Sequence, residues 1–170
     1  MENLIVSTKY GKIAGVQEDC LIFKGIPYAK PPVGALRFSA PEVPDAWDGI
    51  RRADCYPNRC AQVLWDDPAG FYKKEFYMDR EYATPVSEDG LYLNVRTPSA
   101  DPSGKMPVFF YIHGGGFIGG CGHEVEFRTA AYAKKGVVLV TINYRLGIFG
   151  YLAHPWLTAE DPSAVGNYAL

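Results

Sequence analysis

The sequence has 170 residues, of which 48% are apolar and 21% charged, and 17 Lys and Arg against 19 Asp and Glu leave a net charge of −2. This is the composition of an ordinary globular domain, and it excludes a disordered chain, a collagen-like repeat and a disulfide-dense miniprotein. The sequence has no basic cluster for nucleic acid and no apolar run long enough to span a bilayer.

Neither the amino terminus nor the cysteines carry a targeting or metal signal. Residues 1–12 contain one apolar stretch of three residues, so we expect no signal peptide. The four cysteines and three histidines lack the spacing of a zinc or redox motif. We therefore predict no metal and no cofactor, and we expect reduced thiols. The cysteines are Cys20, Cys55, Cys60 and Cys121.

The first ninety residues predict a meander followed by loops. Three short apolar segments, at 4–8, 12–16 and 20–24, are separated by turn residues and indicate antiparallel strands. Prolines then interrupt regular pairing. Residues 55–90 lack periodicity and are rich in aromatic side chains, which is typical of a functional loop or of a poorly ordered one. These aromatic residues are Trp65, Phe71, Tyr72, Phe76, Tyr77 and Tyr82.

The second half has the pattern of a covered parallel sheet. Residues 91–96 alternate apolar and polar positions, whereas 108–112 and 137–142 are continuous apolar runs, as in strands buried on both faces. The 24 residues between these runs suffice for a crossover, and positions 127, 130 and 131 have helical spacing. A βαβ unit and an α/β fold are therefore predicted.

The segment His-Gly-Gly-Gly-Phe-Ile-Gly-Gly at 113–120 directly follows a predicted buried strand. Adjacent glycines allow positive φ angles and leave no Cβ atoms, so that backbone N–H groups can converge on one point. Such a concavity stabilises negative charge, either of a bound phosphate or of a transient oxyanion.

The phosphate interpretation agrees with one feature of the sequence and disagrees with two others. Gly114, Gly116 and Gly119 match the dinucleotide-binding pattern after a strand. However, the next predicted strand ends at Ile142 with no carboxylate beyond it to hold a ribose, and the predicted helix starts late. A dinucleotide-binding domain therefore remains the weaker alternative, beside a glycine-rich turn without chemistry.

The oxyanion interpretation is accompanied by further motifs. His-Gly-Gly-Gly after the third sheet strand is typical of α/β-hydrolase esterases. Seven other segments occur in family order, and with them the chain resembles the type-B carboxylesterase/cholinesterase family, close to para-nitrobenzyl-esterase-like members. They lie at 24–29, 31–34, 36–38, 46–47, 87–95, 143–152 and 166–170. The resemblance implies an α/β-hydrolase fold, with an antiparallel meander before a mainly parallel central sheet, and ester hydrolysis through an acyl-enzyme.

The resemblance also assigns roles to individual residues. Gly115 and Gly116 would provide backbone N–H groups to the oxyanion, and Gly114 would set the turn before them. Phe117 is a candidate for substrate contact, with a core role as the alternative. By resemblance, Arg37 and Glu88 form a structural ion pair.

The nucleophile is not in this sequence. No Gly-x-Ser-x-Gly motif occurs, and in the family it lies about thirty residues beyond Leu170. We therefore expect residues 1–170 to be an incomplete α/β-hydrolase domain, inactive alone, whose main partner is the remainder of its own chain. Its parts are the meander and proline-rich loops at 1–54, the aromatic-rich loop at 55–90, and the sheet strands with the oxyanion loop at 91–170.

Departures from the family pattern narrow the expected cellular location and the expected substrate class. Gly90 replaces a cysteine that would pair with Cys60, which fits a cytoplasmic location. Where cholinesterases place a tryptophan against a quaternary ammonium, residues 78–81 contain none, which favours uncharged esters. Arg145 lacks its family acidic partner, which would lie just past Leu170.

Two further expectations concern binding. The competing function is a non-catalytic binding or adhesion module, since some relatives have lost the serine. The last strand, at 137–142, is expected to be an open sheet edge through which the isolated chain self-associates.

Overall fold

The computed structural model describes residues 4–63, 70–76, 83–162 and 166–170. Its strands are β1 Leu4–Thr8, β2 Gly11–Gln17, β3 Leu21–Pro27, β4 Ile50–Arg52, β5 Arg59–Cys60, β6 Val86–Ser87, β7 Tyr92–Thr97, β8 Val108–Ile112 and β9 Val138–Ile142. Its helices are α1 Phe71–Phe76, α2 Ala131–Lys134, α3 Gly147–Tyr151 and α4 Pro155–Glu160, with 3-10 turns at Gly34–Leu36 and Val125–Phe127.

The amino-terminal strands form the predicted meander. β1 pairs with β2 and β2 with β3, both antiparallel, and β4 adds to β2 in parallel. The chain reverses at Tyr10 and Gly11, where the Thr8 hydroxyl donates to the Gly11 carbonyl over 2.7 Å and accepts from the Tyr10 N–H. This local polar network explains why the first turn was predictable from sequence.

The main sheet runs in the order β1-β2-β3-β7-β9-β8. β7 is antiparallel to both β3 and β9, whereas β8 and β9 are parallel and in register from the Val108–Val138 pair to the Ile112–Ile142 pair. Because parallel strands that are level end at the same edge, the residues after Ile112 and those after Ile142 emerge side by side. This places the glycine-rich segment next to residues 143–145.

The connection from β8 to β9 confirms the predicted βαβ unit, with a shorter helix than expected. The helix α2 begins only at Ala131 and ends before Gly136, whose φ of +76° makes it a left-handed terminator.

The expected open edge was wrong. β9 lies between β7 and β8, because β7 pairs with the side of β9 that the crossover leaves free. The edge strand is β8, whose Val108, Phe110 and Ile112 are exposed, whereas Leu139 and Ile142 of β9 are buried.

The core lies on both faces of the sheet because alternate residues of a strand point to opposite sides. Leu21 and Phe23 of β3 pack with Ile13 on one face. Cys20 and Ile22 pack on the other face against Ala133 of α2. A third cluster, built around Leu91, Tyr144 and Leu146, lies at the edge of the sheet where β7 begins and β9 ends.

Some predicted features fall outside the described residues. Of the aromatic loop, Trp65, Tyr77 and Tyr82 and the side chains of Tyr72 and Phe76 are not described, while Phe71 is exposed at the start of α1. In the described part of the chain, none of the helices has the length and apolar character needed to cross a membrane.

Candidate active site

The segment after β8, residues 113–122, is here called the glycine loop. It begins at His113, whose side chain is buried. The His113 Nδ1 lies 2.8 Å from the Gly114 carbonyl, and because a carbonyl only accepts, Nδ1 carries the proton. The Tyr144 hydroxyl donates to the His113 carbonyl over 2.8 Å, and the two rings stack with centroids 4.3 Å apart.

Burial makes His113 a neutral structural group. Removal from water lowers the pKa of His113 to about 4, against which the bond to Gly114 acts only weakly. The imidazole is therefore uncharged near neutral pH and orients the first peptide of the loop. No proton-transfer role is needed to explain its position.

Gly115 and Gly116 form the turn of the loop, with φ angles of +112° and +61°. The Ile118 and Gly119 N–H groups both donate to the Gly115 carbonyl, over 3.2 and 3.3 Å. A Cβ on residue 115 would overlap the Gly119 carbonyl, whereas a Cβ on residue 116 would meet nothing within 4 Å. Position 115 therefore requires glycine for space as well as for φ.

The N–H groups of Gly115 and Gly116 are available. Within the described ranges neither has a hydrogen-bond partner, and both glycines are exposed. Two adjacent amide donors left free on a turn are what an oxyanion site requires. Gly114 has no positive φ, and its part in the loop is the carbonyl that accepts from His113.

Phe117 continues the left-handed turn with a φ of +66°, which is uncommon for a bulky residue. Its carbonyl accepts from the Gly147 N–H over 2.7 Å, which ties the turn to the start of α3. Its ring is 61% exposed and meets Tyr151 edge-on at 4.8 Å. The predicted substrate-contact residue thus lies beside the free donors with most of its ring uncovered.

The second half of the glycine loop is held by side-chain amides. Gln62 bonds to both backbone groups of Gly120, at 3.0 Å to its N–H and 2.9 Å to its carbonyl. The Gly122 N–H donates to the side chain of Asn143 over 2.7 Å. Sequence reasoning missed Gln62, because nothing local at position 62 signals a contact with residue 120.

Glu124, just after the glycine loop, is a titratable group that sequence reasoning also missed. Burial raises the pKa of Glu124 to about 7, with a further rise from Glu126, while the Cys121 N–H opposes both by bonding to the carboxylate. Near neutral pH this carboxyl is therefore partly protonated.

Arg37 and Glu88 form a bidentate ion pair, with Nε to Oε2 at 2.5 Å and Nη2 to Oε1 at 2.7 Å. The hydrogen bonds between the two side chains, together with their opposite charges, hold the pKa of Glu88 below its usual value and raise the pKa of Arg37. The pair joins the segment after the first 3-10 turn to the approach to β7.

Arg145, after β9, is buried, and its Nη1 donates to the Ser39 carbonyl over 2.9 Å. Its Nε and Nη2 have no partner among the residues that the structure describes. Burial lowers the pKa of Arg145 accordingly.

A metal centre is not assembled in the described residues, where no three His, Cys, Asp or Glu side chains lie close enough to share an ion. The dinucleotide interpretation also lacks its helix. After Gly119 the described chain turns through Val125–Phe127 before α2 begins at Ala131, so α2 does not start on the third glycine as a dinucleotide-binding loop requires.

The chain is similar in sequence to carboxylesterases and to related proteins. The sequence model of the Carboxylesterase family matches residues 2–170. The para-nitrobenzyl esterase of Bacillus subtilis (strain 168) is 43% identical over 155 residues, which cover 89% of this chain and 29% of that protein. Neuroligin-2 of Mus musculus is 34% identical over 199 residues, which cover 98% of this chain and 23% of that protein.

The solved structures agree with the sequence matches. A PNB esterase structure superposes with a TM-score of 0.81 at 38% identity, over 98% of this chain and 32% of that chain. This similarity supports the α/β-hydrolase fold that the sequence predicted. The chain spans less than a third of the length of these relatives.

Proposed function

Since this chain belongs to the carboxylesterase family, we propose that it is the amino-terminal portion of a serine esterase that hydrolyses uncharged carboxylic esters. The observation that carries the proposal is the pair of free N–H groups on Gly115 and Gly116, exposed on a turn that only glycine can form at position 115. The full relatives are about three times longer, so the proposal concerns a reaction to which this chain contributes one part.

The contribution is electrostatic. When a serine attacks an ester carbonyl, the carbonyl oxygen becomes an oxyanion and the serine proton passes to a histidine. Two fixed N–H donors aimed at that oxygen stabilise it without reorganisation, since the turn already holds them in place. Collapse of the tetrahedral intermediate expels the alcohol and leaves an acyl-enzyme, which water then hydrolyses by the same steps.

The site roles follow from this scheme. Gly115 and Gly116 donate to the oxyanion, and Phe117, with its ring exposed beside them, contacts the substrate. His113 and the Arg37–Glu88 pair keep structural roles, supported by their contacts to backbone and to each other. No cofactor takes part. The segments 1–54, 55–90 and 91–170 are proposed as parts of one α/β-hydrolase domain.

The substrate class rests on sequence. Residues 78–81, where cholinesterases place a tryptophan, contain none and lie outside the described residues. Without an aromatic face for a quaternary ammonium, uncharged alkyl or aryl esters are the proposed substrates.

A non-catalytic binding module is the second candidate, and the similarity to Neuroligin-2 favours it. The two functions differ in the nucleophile, because only an esterase requires a serine at the Gly-x-Ser-x-Gly elbow.

Two assays separate these possibilities. The full-length gene product should hydrolyse an activated aryl ester, and a fluorophosphonate should label one serine and abolish turnover. The isolated 170-residue chain should do neither, because its sequence contains no Gly-x-Ser-x-Gly. A full-length product that is folded but neither labelled nor active would favour the binding module.

Two smaller proposals concern compartment and association. All four cysteines are free, and Gly90 lies against Cys60 with no room for a side chain, which favours a reducing, cytoplasmic setting.

We also propose that the exposed edge of β8 is covered by the remainder of the chain in the complete protein, and by a second copy when residues 1–170 are isolated. Light scattering that finds a monomer of the isolated chain at high concentration would contradict the latter.

A further inference from the structure

The side chain of Gln62 is fully engaged with backbone groups of Gly120 and Cys60. Its Oε1 accepts from the Gly120 N–H at 3.0 Å, and its Nε2 donates to the Gly120 carbonyl at 2.9 Å and to the Cys60 carbonyl at 3.1 Å. Each polar atom of the amide is therefore used, and two of the three bonds go to one glycine that is 58 residues away in sequence.

Gly120 is closely connected to the peptides that present the free donors. Its φ of +110° brings its Cα so close to His113 that a Cβ would overlap both the imidazole and the Gly114 carbonyl. The preceding residue, Gly119, donates its N–H to the Gly115 carbonyl. A shift of Gly120 therefore moves the peptides on both sides of Gly115.

Side-chain packing does not hold the donors in place. Residues 114–118 are exposed, whereas Gly119 and Gly120 are buried. The turn at Gly115 and Gly116 is consequently fixed by hydrogen bonds to its backbone. The side chains of His113 and Tyr144 bond at its start, the Gly147 N–H bonds to the Phe117 carbonyl, and the Gln62 side chain bonds at its end.

We propose that Gln62 is a positioning residue for the oxyanion site: by clamping both backbone groups of Gly120, it sets the direction of the Gly115 and Gly116 N–H groups. This inference rests on the proposed esterase function. Hydrogen bonds to an oxyanion are tighter in the transition state than in the bound substrate, so a loosened clamp lowers kcat more than it raises KM.

The test uses the full-length gene product with Gln62→Met and Gln62→Asn. Methionine keeps the length and removes the hydrogen bonds, while asparagine keeps the amide but ends about 1.5 Å short of Gly120. Gln17→Met is the matched control, since Gln17 is exposed and, among the residues that the structure describes, its amide bonds only to the adjacent Glu18 carbonyl. For each protein we would measure kcat per fluorophosphonate-titrated site, KM, and hydrogen exchange of peptides across the chain.

Both Gln62 variants should lose about tenfold in kcat with KM within about twofold, because small misplacements of an oxyanion donor are costly. Hydrogen exchange should accelerate in the peptide that covers residues 113–122 and stay unchanged elsewhere. Gln17→Met should match the parent in all three measurements.

The outcomes distinguish this inference from the proposed function. If the parent is active and either the kcat loss or the local acceleration of exchange is missing, Gln62 does not position the loop. If exchange accelerates throughout the protein, Gln62 is a general stabiliser and the inference is again wrong. If the parent is inactive, the proposed function fails, and the exchange of residues 113–122 alone decides whether the clamp exists.

Discussion

The two halves of the glycine loop, residues 114–118 and 119–122, are both rich in glycine but lie in opposite environments. In residues 119–122 all four backbone N–H groups are bonded: Gly119 to the Gly115 carbonyl, Gly120 to Gln62, Cys121 to the Glu124 carboxylate and Gly122 to Asn143. All four residues are buried. In residues 114–118 the chain is exposed, and the N–H groups of Gly115 and Gly116 have no described partner.

The difference shows how glycine is used for two purposes within nine residues. In the buried half it permits close approach, as at Gly122, where a Cβ would overlap the backbone of Ile142. In the exposed half it permits left-handed backbone that turns N–H groups outward. The bonded residues 119–122 thus support a turn in which the N–H groups of Gly115 and Gly116 have no partner among the described residues, which is the requirement for donors that must be fixed before the reaction starts.

The largest expected effect is that of Gly115→Ala, in the exposed half. The new Cβ would overlap the Gly119 carbonyl and open the turn, so kcat of the full-length protein should fall by about 10²–10³ with little change in KM. Circular dichroism should show an intact fold. A folded variant that keeps kcat within about twofold would show that Gly115 is not an oxyanion donor.

Gly120→Ala tests the buried half. Its Cβ would overlap the His113 ring and the Gly114 carbonyl at a φ of +110°, so the free energy of unfolding should fall by about 3 kcal/mol. Gly136→Ala is the matched control, because its φ is +76° but its Cβ would meet nothing within 4 Å. Gly136→Ala should lower the free energy of unfolding by about 1 kcal/mol. Equal losses in urea unfolding would mean that φ alone, and not the close approach, sets the cost.

The pH dependence tests His123, which follows the buried half. Burial lowers the pKa of His123 to about 3, and its ring stacks on Tyr56 at 5.0 Å. The unfolded chain takes up this proton near pH 6.5, whereas the folded chain does not until far lower pH, so acid favours unfolding. Between pH 7 and pH 5 this histidine should cost about 2 kcal/mol of stability.

His123→Phe keeps a ring against Tyr56 and removes the titration. Glu124 acts in the opposite direction, since its raised pKa makes the folded state bind a proton more readily as the pH falls. Because the parent and the variant both contain Glu124, its contribution cancels when their slopes of unfolding free energy against pH are subtracted. Urea unfolding at pH 7, 6 and 5 should show the variant losing less stability; identical slopes would mean that His123 is not kept neutral by burial.

How much of the fold and of the candidate site the sequence predicts depends on how far apart in sequence the interacting residues are. The turn at Gly11, the strands of the meander and the glycine loop are encoded by neighbouring residues, and they were predicted. The interior place of β9 was not, because strand order depends on which distant strand offers a free edge. The Gln62–Gly120 contact was missed for the same reason, since it joins residues with 57 others between them.

The smallest expected effect is that of Gly116→Ala, the counterpart of the Gly115 change. Its Cβ would lie in open space, and its φ of +61° is in the region that alanine reaches at a cost of about 1 kcal/mol. That strain is present in the ground state and the transition state alike, so it lowers stability but leaves kcat within about threefold. Gly116→Asn, which tolerates this φ better, should lose less stability. If Gly116→Ala lost as much kcat as Gly115→Ala, the space beside Gly116 would be filled in the working enzyme, and the distinction between the two glycines would be wrong.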